Sequence, residues 1–139
     1  MGLILQSKNI KRSGSMENTT NFEIIDDVLV IHINGELDHH ASLYIRQADR
    51  IIYEKEIINI VFDFKNTEFM DSSGIGVIMG RYKKIKAFGG KIGAINVGSN
   101  VEKILTFSGL NKIVNHYRNL EHALDELSSG VTHNVQGGM

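Results

Sequence analysis

A chain of 139 residues is long enough for one domain and short for two, and its 42% apolar content suffices for one sizeable core. Its 15 Lys and Arg against 16 Asp and Glu leave a formal charge of -1, without the basic excess that nucleic acid selects. With no cysteine there is no disulfide framework, thiol nucleophile or thiolate metal site, and no apolar run approaches the roughly 20 residues of a membrane helix. Leu3, Ile4 and Leu5 precede the basic Lys8, Lys11 and Arg12, the reverse of a secretory signal. The expectation is a cytoplasmic protein with no direct nucleic-acid or membrane partner.

In chain order, residues 1–20 are polar and aperiodic and predict a flexible extension, with Met16 as a second candidate start. Phe22 to Ile25 and Val28 to Ile33 are β-rich runs broken by Asp26 and Asp27, the pattern of a hairpin. Val28, Val30 and His32 point one way, Leu29, Ile31 and Ile33 the other, and Gly35 ends the run. The period then changes: Ala41, Ile45, Ala48 and Ile52 share a helical face flanked by Leu43, Tyr44 and Ile51. Ile58 to Phe64 is a compact apolar strand, buried on both faces. The helix after Asp71 carries a stripe of Ile75, Ile78, Tyr82 and Ile85, with Arg81, Lys83, Lys84 and Lys86 mostly off it, and Gly89 and Gly90 stop it.

Lys91 to Val97 predicts another strand. Ser99 or Asn100 is positioned to cap a helix through Val101, Ile104 and Leu105 that ends near Gly109. Ile113 and Val114 form a last short strand, and Leu120, Ala123, Leu124 and Leu127 a final helix. The domain is thus expected at 21–128, followed by a flexible tail at 129–139 rich in Gly, Ser, Asn and Gln. The order β-β-α-β-α-β-α-β-α implies an α/β domain with about four helices. Its small mixed sheet holds one antiparallel hairpin and then largely parallel crossovers.

The informative stretch is Val61 to Arg81, VFDFKNTEFMDSSGIGVIMGR. A buried strand ends near Phe64, and Asp71-Ser72-Ser73-Gly74 leads into a helix. Ser72 and Ser73 therefore sit at a helix N-terminus, where unpaired N–H groups and a partial positive charge favour an anion, including a phosphate on serine. Gly74 and Gly76 carry no side chain to crowd a docking protein. Asp-Ser-Ser before an apolar helix is also what an ordinary N-cap looks like, and cap and switch are compatible in neighbouring residues. Gly74, Gly76 and Gly80 miss the dinucleotide fingerprint, since the spacing is one residue too long and no acidic residue stands at the end of the next strand. Met70 and Asp71 before Ser72 break a nucleophile elbow. No catalytic residue emerges.

A second stretch, Gly35-Glu36-Leu37-Asp38-His39-His40, follows a strand and precedes a helix, so Asp38 is a candidate cap. His39 and His40 are adjacent, and adjacent residues rarely point at one ion; no metal site is expected.

GELDHH at 35–40 and FMDSSGIGVIMGRYKKIKAFGGK at 69–91, in this order, resemble the anti-sigma factor antagonists of the STAS domain family, most closely its stage II sporulation branch. The similarity spans roughly Phe22 to Leu127. It implies a STAS-type single domain that is not an enzyme and needs no cofactor of its own. Family members bind an anti-sigma factor that is also a serine kinase, and so release a sigma factor. The partner kinase uses ATP to phosphorylate the first serine of D-S-S-G, here Ser72, which switches binding off, and a serine phosphatase restores it. The resemblance implies a partner surface of Asp38, Asp71, Ser72, Ser73, Gly74 and Gly76, with Asp38 near the serine. The alternative is a non-switching STAS scaffold or stressosome-type component.

Overall fold

Strand Val28–Asn34 has no polar face over its first half. Leu29, Ile31 and Ile33 look one way, Val28 and Val30 the other, and all five are buried. Such a strand is stable only between two covering layers. The computed structural model describes the backbone of residues 2–6, 10–11 and 17–137 and the side chains of residues 19–128, and it supplies both layers.

The strands are β1 (Gly2–Gln6), β2 (Ile10–Lys11), β3 (Glu17–Ile25), β4 (Val28–Asn34), β5 (Asn59–Asn66), β6 (Ile92–Ile95) and β7 (Val114–His116). They form one sheet in the order β1-β3-β4-β5-β6-β7, with β2 also paired to β3. Pairs up to β3–β4 are antiparallel; β4–β5, β5–β6 and β6–β7 are parallel. The crossovers are α1 (His39–Ile45) with α2 (Ala48–Glu54), then α3 (Ser72–Ala87), then α4 (Ser99–Ser108) and a 3-10 turn at Leu110–Lys112. These helices cover the face of Leu29, Ile31 and Ile33. The last helix, α5 (Leu120–Gly137), covers the other face, where Ala123 and Leu127 pack on Val28, Val30, Val61 and Ile95. Core aromatics Phe62 and Phe64 stack with centroids 6.0 Å apart. Burial of a side chain of this size contributes about 1.5–3 kcal/mol.

From β3 onward the element order is the expected one, and the fold is a mixed α/β sheet. Four details differ. The first helix is two, broken by a turn at Arg46–Gln47. Helix α4 is preceded by Gly98, and neither Ser99 nor Asn100 caps it. Arg81 is not on a solvated flank: it is buried with its Nε 3.1 Å from Asp49 Oδ1, an ion pair that ties α3 to α2. Burial lowers its pKa, opposed by the Asp49 charge, yet a guanidinium remains charged at any physiological pH.

The fourth difference lies at the ends. Where residues 1–20 read as loose, β1 pairs antiparallel with β3 from Gly2↔Ile25 to Gln6↔Asn21. The outer edge of β3 carries unpaired N–H and C=O groups that a neighbouring segment satisfies. Where the tail read as loose from residue 129, α5 continues to Gly137. Extending a helix already nucleated by packed residues costs little per residue. The candidate start at Met16 lies outside the described residues.

Candidate functional site

Two loops leave the carboxyl ends of neighbouring parallel strands, β4 and β5, and the backbone joins them. Gly35 N–H donates to Asn66 O (3.0 Å), Leu37 N–H to Phe69 O (3.0 Å), and Asp71 N–H to Leu37 O (3.2 Å). Leu37 and Met70 form an isolated parallel bridge, and both are buried. Side chains reinforce the seam: Thr67 Oγ1 donates to Ile33 O (2.8 Å) and Asn66 Nδ2 to Asn34 Oδ1 (2.7 Å). The two sequence motifs are thereby one structure, and the residues after the bridge start helices α1 and α3 side by side.

Both helices are capped by aspartate. Asp38 Oδ1 accepts from Ala41 N–H at 3.1 Å, and the residue is 8% exposed. Asp71 Oδ1 accepts from Ser73 N–H (2.9 Å) and Gly74 N–H (3.2 Å). Asp71, not a serine, therefore takes two of the free N–H groups of the α3 N-terminus, those of Ser73 and Gly74. Ser72, the first residue of α3, is exposed; Ser73 is partly buried. A group added to Ser72 points outward from the domain.

The two glycines have different tasks. A Cβ at Gly74 would stand 2.5 Å from Leu37 O and 2.7 Å from Leu37 Cγ, so this glycine lets α3 press against the other loop. It is buried, so it lies beneath the surface on which the sequence reading placed it. Gly76 is exposed, with no atom within 4 Å of a Cβ placed there. Gly80, one turn further along the same face, is equally free of neighbours.

Three features were not legible as functional in the sequence. The surface around Ser72 is apolar on two sides. Phe69, before Asp71, is 48% exposed, and Ile75 opens a groove between α3 and α4. The third lies on the α5 face, at the end of β4. There His32 Nδ1 is 2.7 Å from Asp63 Oδ2 and His32 Nε2 is 2.8 Å from Glu23 Oε1. Both ring nitrogens meet carboxylates, an arrangement that only the imidazolium satisfies. The Asp63 hydrogen bond raises the His32 pKa most; burial opposes it, and Glu23 adds to the rise. Burial pushes Asp63 up, but hydrogen bonds from His32, Asn96 and Lys65 N–H together hold it below its ordinary value. Residue-type patterns of period two could mark His32 and Asp63 as same-face neighbours of apolar residues, but not their pairing. His39 and His40 lie exposed in the first turn of α1, their ring centroids 6.1 Å apart. Among the described residues no helix is long and apolar enough to cross a membrane.

The STAS domain family matches residues 19–123, which include every residue of this site. An anti-sigma F factor antagonist of Paenibacillus polymyxa is 46% identical over 101 residues, covering 72% of this chain and 86% of that protein. Two solved structures share the fold. The anti-sigma factor antagonist SpoIIAA in its unphosphorylated form matches with a TM-score of 0.66 at 28% identity, over 78% of this chain and 97% of its own. The Bacillus cell fate determinant SpoIIAA in the phosphorylated form matches with a TM-score of 0.64 at 32% identity, over 77% and 97%. A family match over most of the chain, the shared topology and a close relative of nearly equal extent agree: the chain belongs to the STAS domain family, among its anti-sigma factor antagonists.

Proposed function

We propose that this protein is a phosphorylation-switched binding module of the cytoplasm. In its unmodified form it binds an anti-sigma factor that is also a serine kinase and so frees a sigma factor, in sporulation. Phosphorylation of Ser72 by that kinase, with ATP, ends the binding, and a serine phosphatase restores it. The protein itself performs no catalysis and holds no cofactor. The observation that carries the reading is the division of labour at the α3 N-terminus: Asp71 caps the helix, and Ser72 beside it is exposed with no structural task. It agrees with the names of the relatives, one of which is known in unphosphorylated and phosphorylated forms.

The physics follows from the geometry. A phosphate brings about -1.5 to -2 charges to Ser72. It cannot take the N–H groups that Asp71 already holds, and it adds like charge beside that carboxylate. In solvent this repulsion is screened; under a docked partner it is not. A penalty of about 4 kcal/mol at the interface weakens binding about 1000-fold. Gly76 and Gly80 also fit a docking face. Each costs about 1 kcal/mol relative to alanine inside a helix, and nothing within the domain requires them.

The test is intact-mass spectrometry with peptide mapping after incubation with ATP and the candidate anti-sigma kinase. One phosphate on Ser72, absent without kinase and in Ser72→Ala, is expected. No phosphate, with the kinase active on another substrate, would leave a non-switching STAS scaffold.

A further inference from the structure

Phe107, on α4, is 97% exposed, the most exposed large apolar side chain among the described residues. It does not stand alone. With Ile75 of α3 and Ile104 of α4 it lines a groove of about 580 Å³ whose surface is apolar almost throughout. Ile75 and Ile104 also pack against the main core, so the groove floor is rigid. The rim is polar and partly fixed: Asn111 Nδ2 donates to Glu102 Oε2 at 3.0 Å, and Thr106 Oγ1 to the same oxygen at 3.3 Å. An apolar centre with a polar rim is the anatomy of a protein interface, and aromatic residues in such centres carry a disproportionate share of affinity.

Position selects the occupant. Ile75 lies three residues after Ser72, on the same face of α3. A protein complex of ordinary size covers about 800 Å² on each partner, a disc of radius about 16 Å. A kinase that seats its active site over Ser72 therefore reaches the groove one helical turn away. Beside Ser72 the surface carries the bare Gly76 and the half-exposed Phe69, and the apolar groove that begins at Ile75 extends it. We propose that the α3–α4 groove, with Phe107 at its rim, is the affinity anchor for the same anti-sigma kinase, which inserts an apolar side chain against Phe107, Ile104 and Ile75. This rests on the reading of Ser72 given above. It separates two tasks on one surface: the groove supplies attraction that is blind to phosphate, and Ser72 supplies the charge that opposes it.

The experiment measures binding of the full chain to the kinase by calorimetry, with wild type, Phe107→Ala, Ser72→Glu and the double variant, each checked for an unchanged melting temperature. Phe107→Ala is expected to weaken binding about 30-fold, the size of an interface hot spot. It is expected to raise the protein concentration that half-saturates phosphorylation of Ser72 while leaving the maximal rate unchanged. Phe107→Ala is also expected to weaken Ser72→Glu by the same factor, because the anchor does not sense the charge. Wild-type binding with no loss in Phe107→Ala would overturn the anchor while sparing the switch. A wild type that fails to bind at all sinks the switch and the anchor with it. Size-exclusion with light scattering supplies the remaining arm: a wild-type dimer that Phe107→Ala turns into monomer would assign the groove to a second copy of this chain and overturn the proposal.

Discussion

Leu37 and Met70 form a single parallel bridge, buried on both sides, that welds the loop after β4 to the loop after β5. The residue after each of them caps a helix, so the backbone bridge holds Asp38 in register with Asp71 and Ser72. That construction sets which substitutions disturb the fold and which disturb only the surface.

Gly74→Ala belongs to the first kind. Its methyl would meet Leu37 O and Cγ inside van der Waals distance and Met70 Cβ at 3.1 Å, so one loop must move. Overpacking of this sort costs about 1–3 kcal/mol. A drop in the denaturant midpoint is expected, together with faster hydrogen exchange of the Leu37 and Asp71 amides; an unchanged midpoint would show that the seam yields freely.

Asp38 can be divided into its two possible tasks. Asp38→Ala removes the cap of α1 and is expected to cost about 1 kcal/mol. Asp38→Asn keeps a capping oxygen, removes the charge, and should melt close to wild type. If the carboxylate serves the kinase, both variants slow phosphorylation of Ser72. Normal kinetics in Asp38→Asn would reduce the residue to a cap.

Gly76→Ala and Gly80→Ala should move stability and binding in opposite directions. Each is expected to stabilise the domain by up to about 1 kcal/mol, since helix propensity rises and open space surrounds both positions. If a partner lies flat on α3, each also weakens the complex. Calorimetry beside thermal melts reads both quantities, and tighter or equal binding would remove the glycines from the docking face.

The His32 cluster predicts a pH dependence with a definite sign. The folded pKa of His32 lies above 6.5, so its contribution is complete below that value and is lost as pH rises through the folded pKa. Asp63 lies below 3.8 when folded, so its contribution is present above that value and is lost as pH falls through the folded pKa. The melting temperature of the wild type is therefore expected to fall from slightly acid into alkaline solution. His32→Gln should flatten that slope; an equal slope in the variant would place the titrating group elsewhere.

The frame of the fold is legible in the sequence because burial leaves a periodic trace. The alternation from Val28 to Ile33 and the helical spacing from Ala41 to Ile52 each name a face. Asp71-Ser72 is legible because a cap and an apolar helix are local. The Leu37–Met70 bridge is not, since it joins loops that share no period and lie far apart in the chain. Gly74 shows the same limit: its spacing marks a helix start, while its cause is a carbonyl on another loop. Arg81 sits among lysines in sequence, and only the carboxylate of Asp49 explains its burial. The pairing of β1 rests on the free edge of β3, a property of the assembled sheet.

The carboxylate of Asp71, fastened to the N–H groups of Ser73 and Gly74, has a consequence for the proposed cycle of modification. A phosphate on Ser72 would find the N–H groups of Ser73 and Gly74 already taken, so under the proposed switch it acts mainly through the charge it presents to a partner. The kinase and phosphatase proposed above would then meet a helix start that carries the same aspartate cap before and after modification.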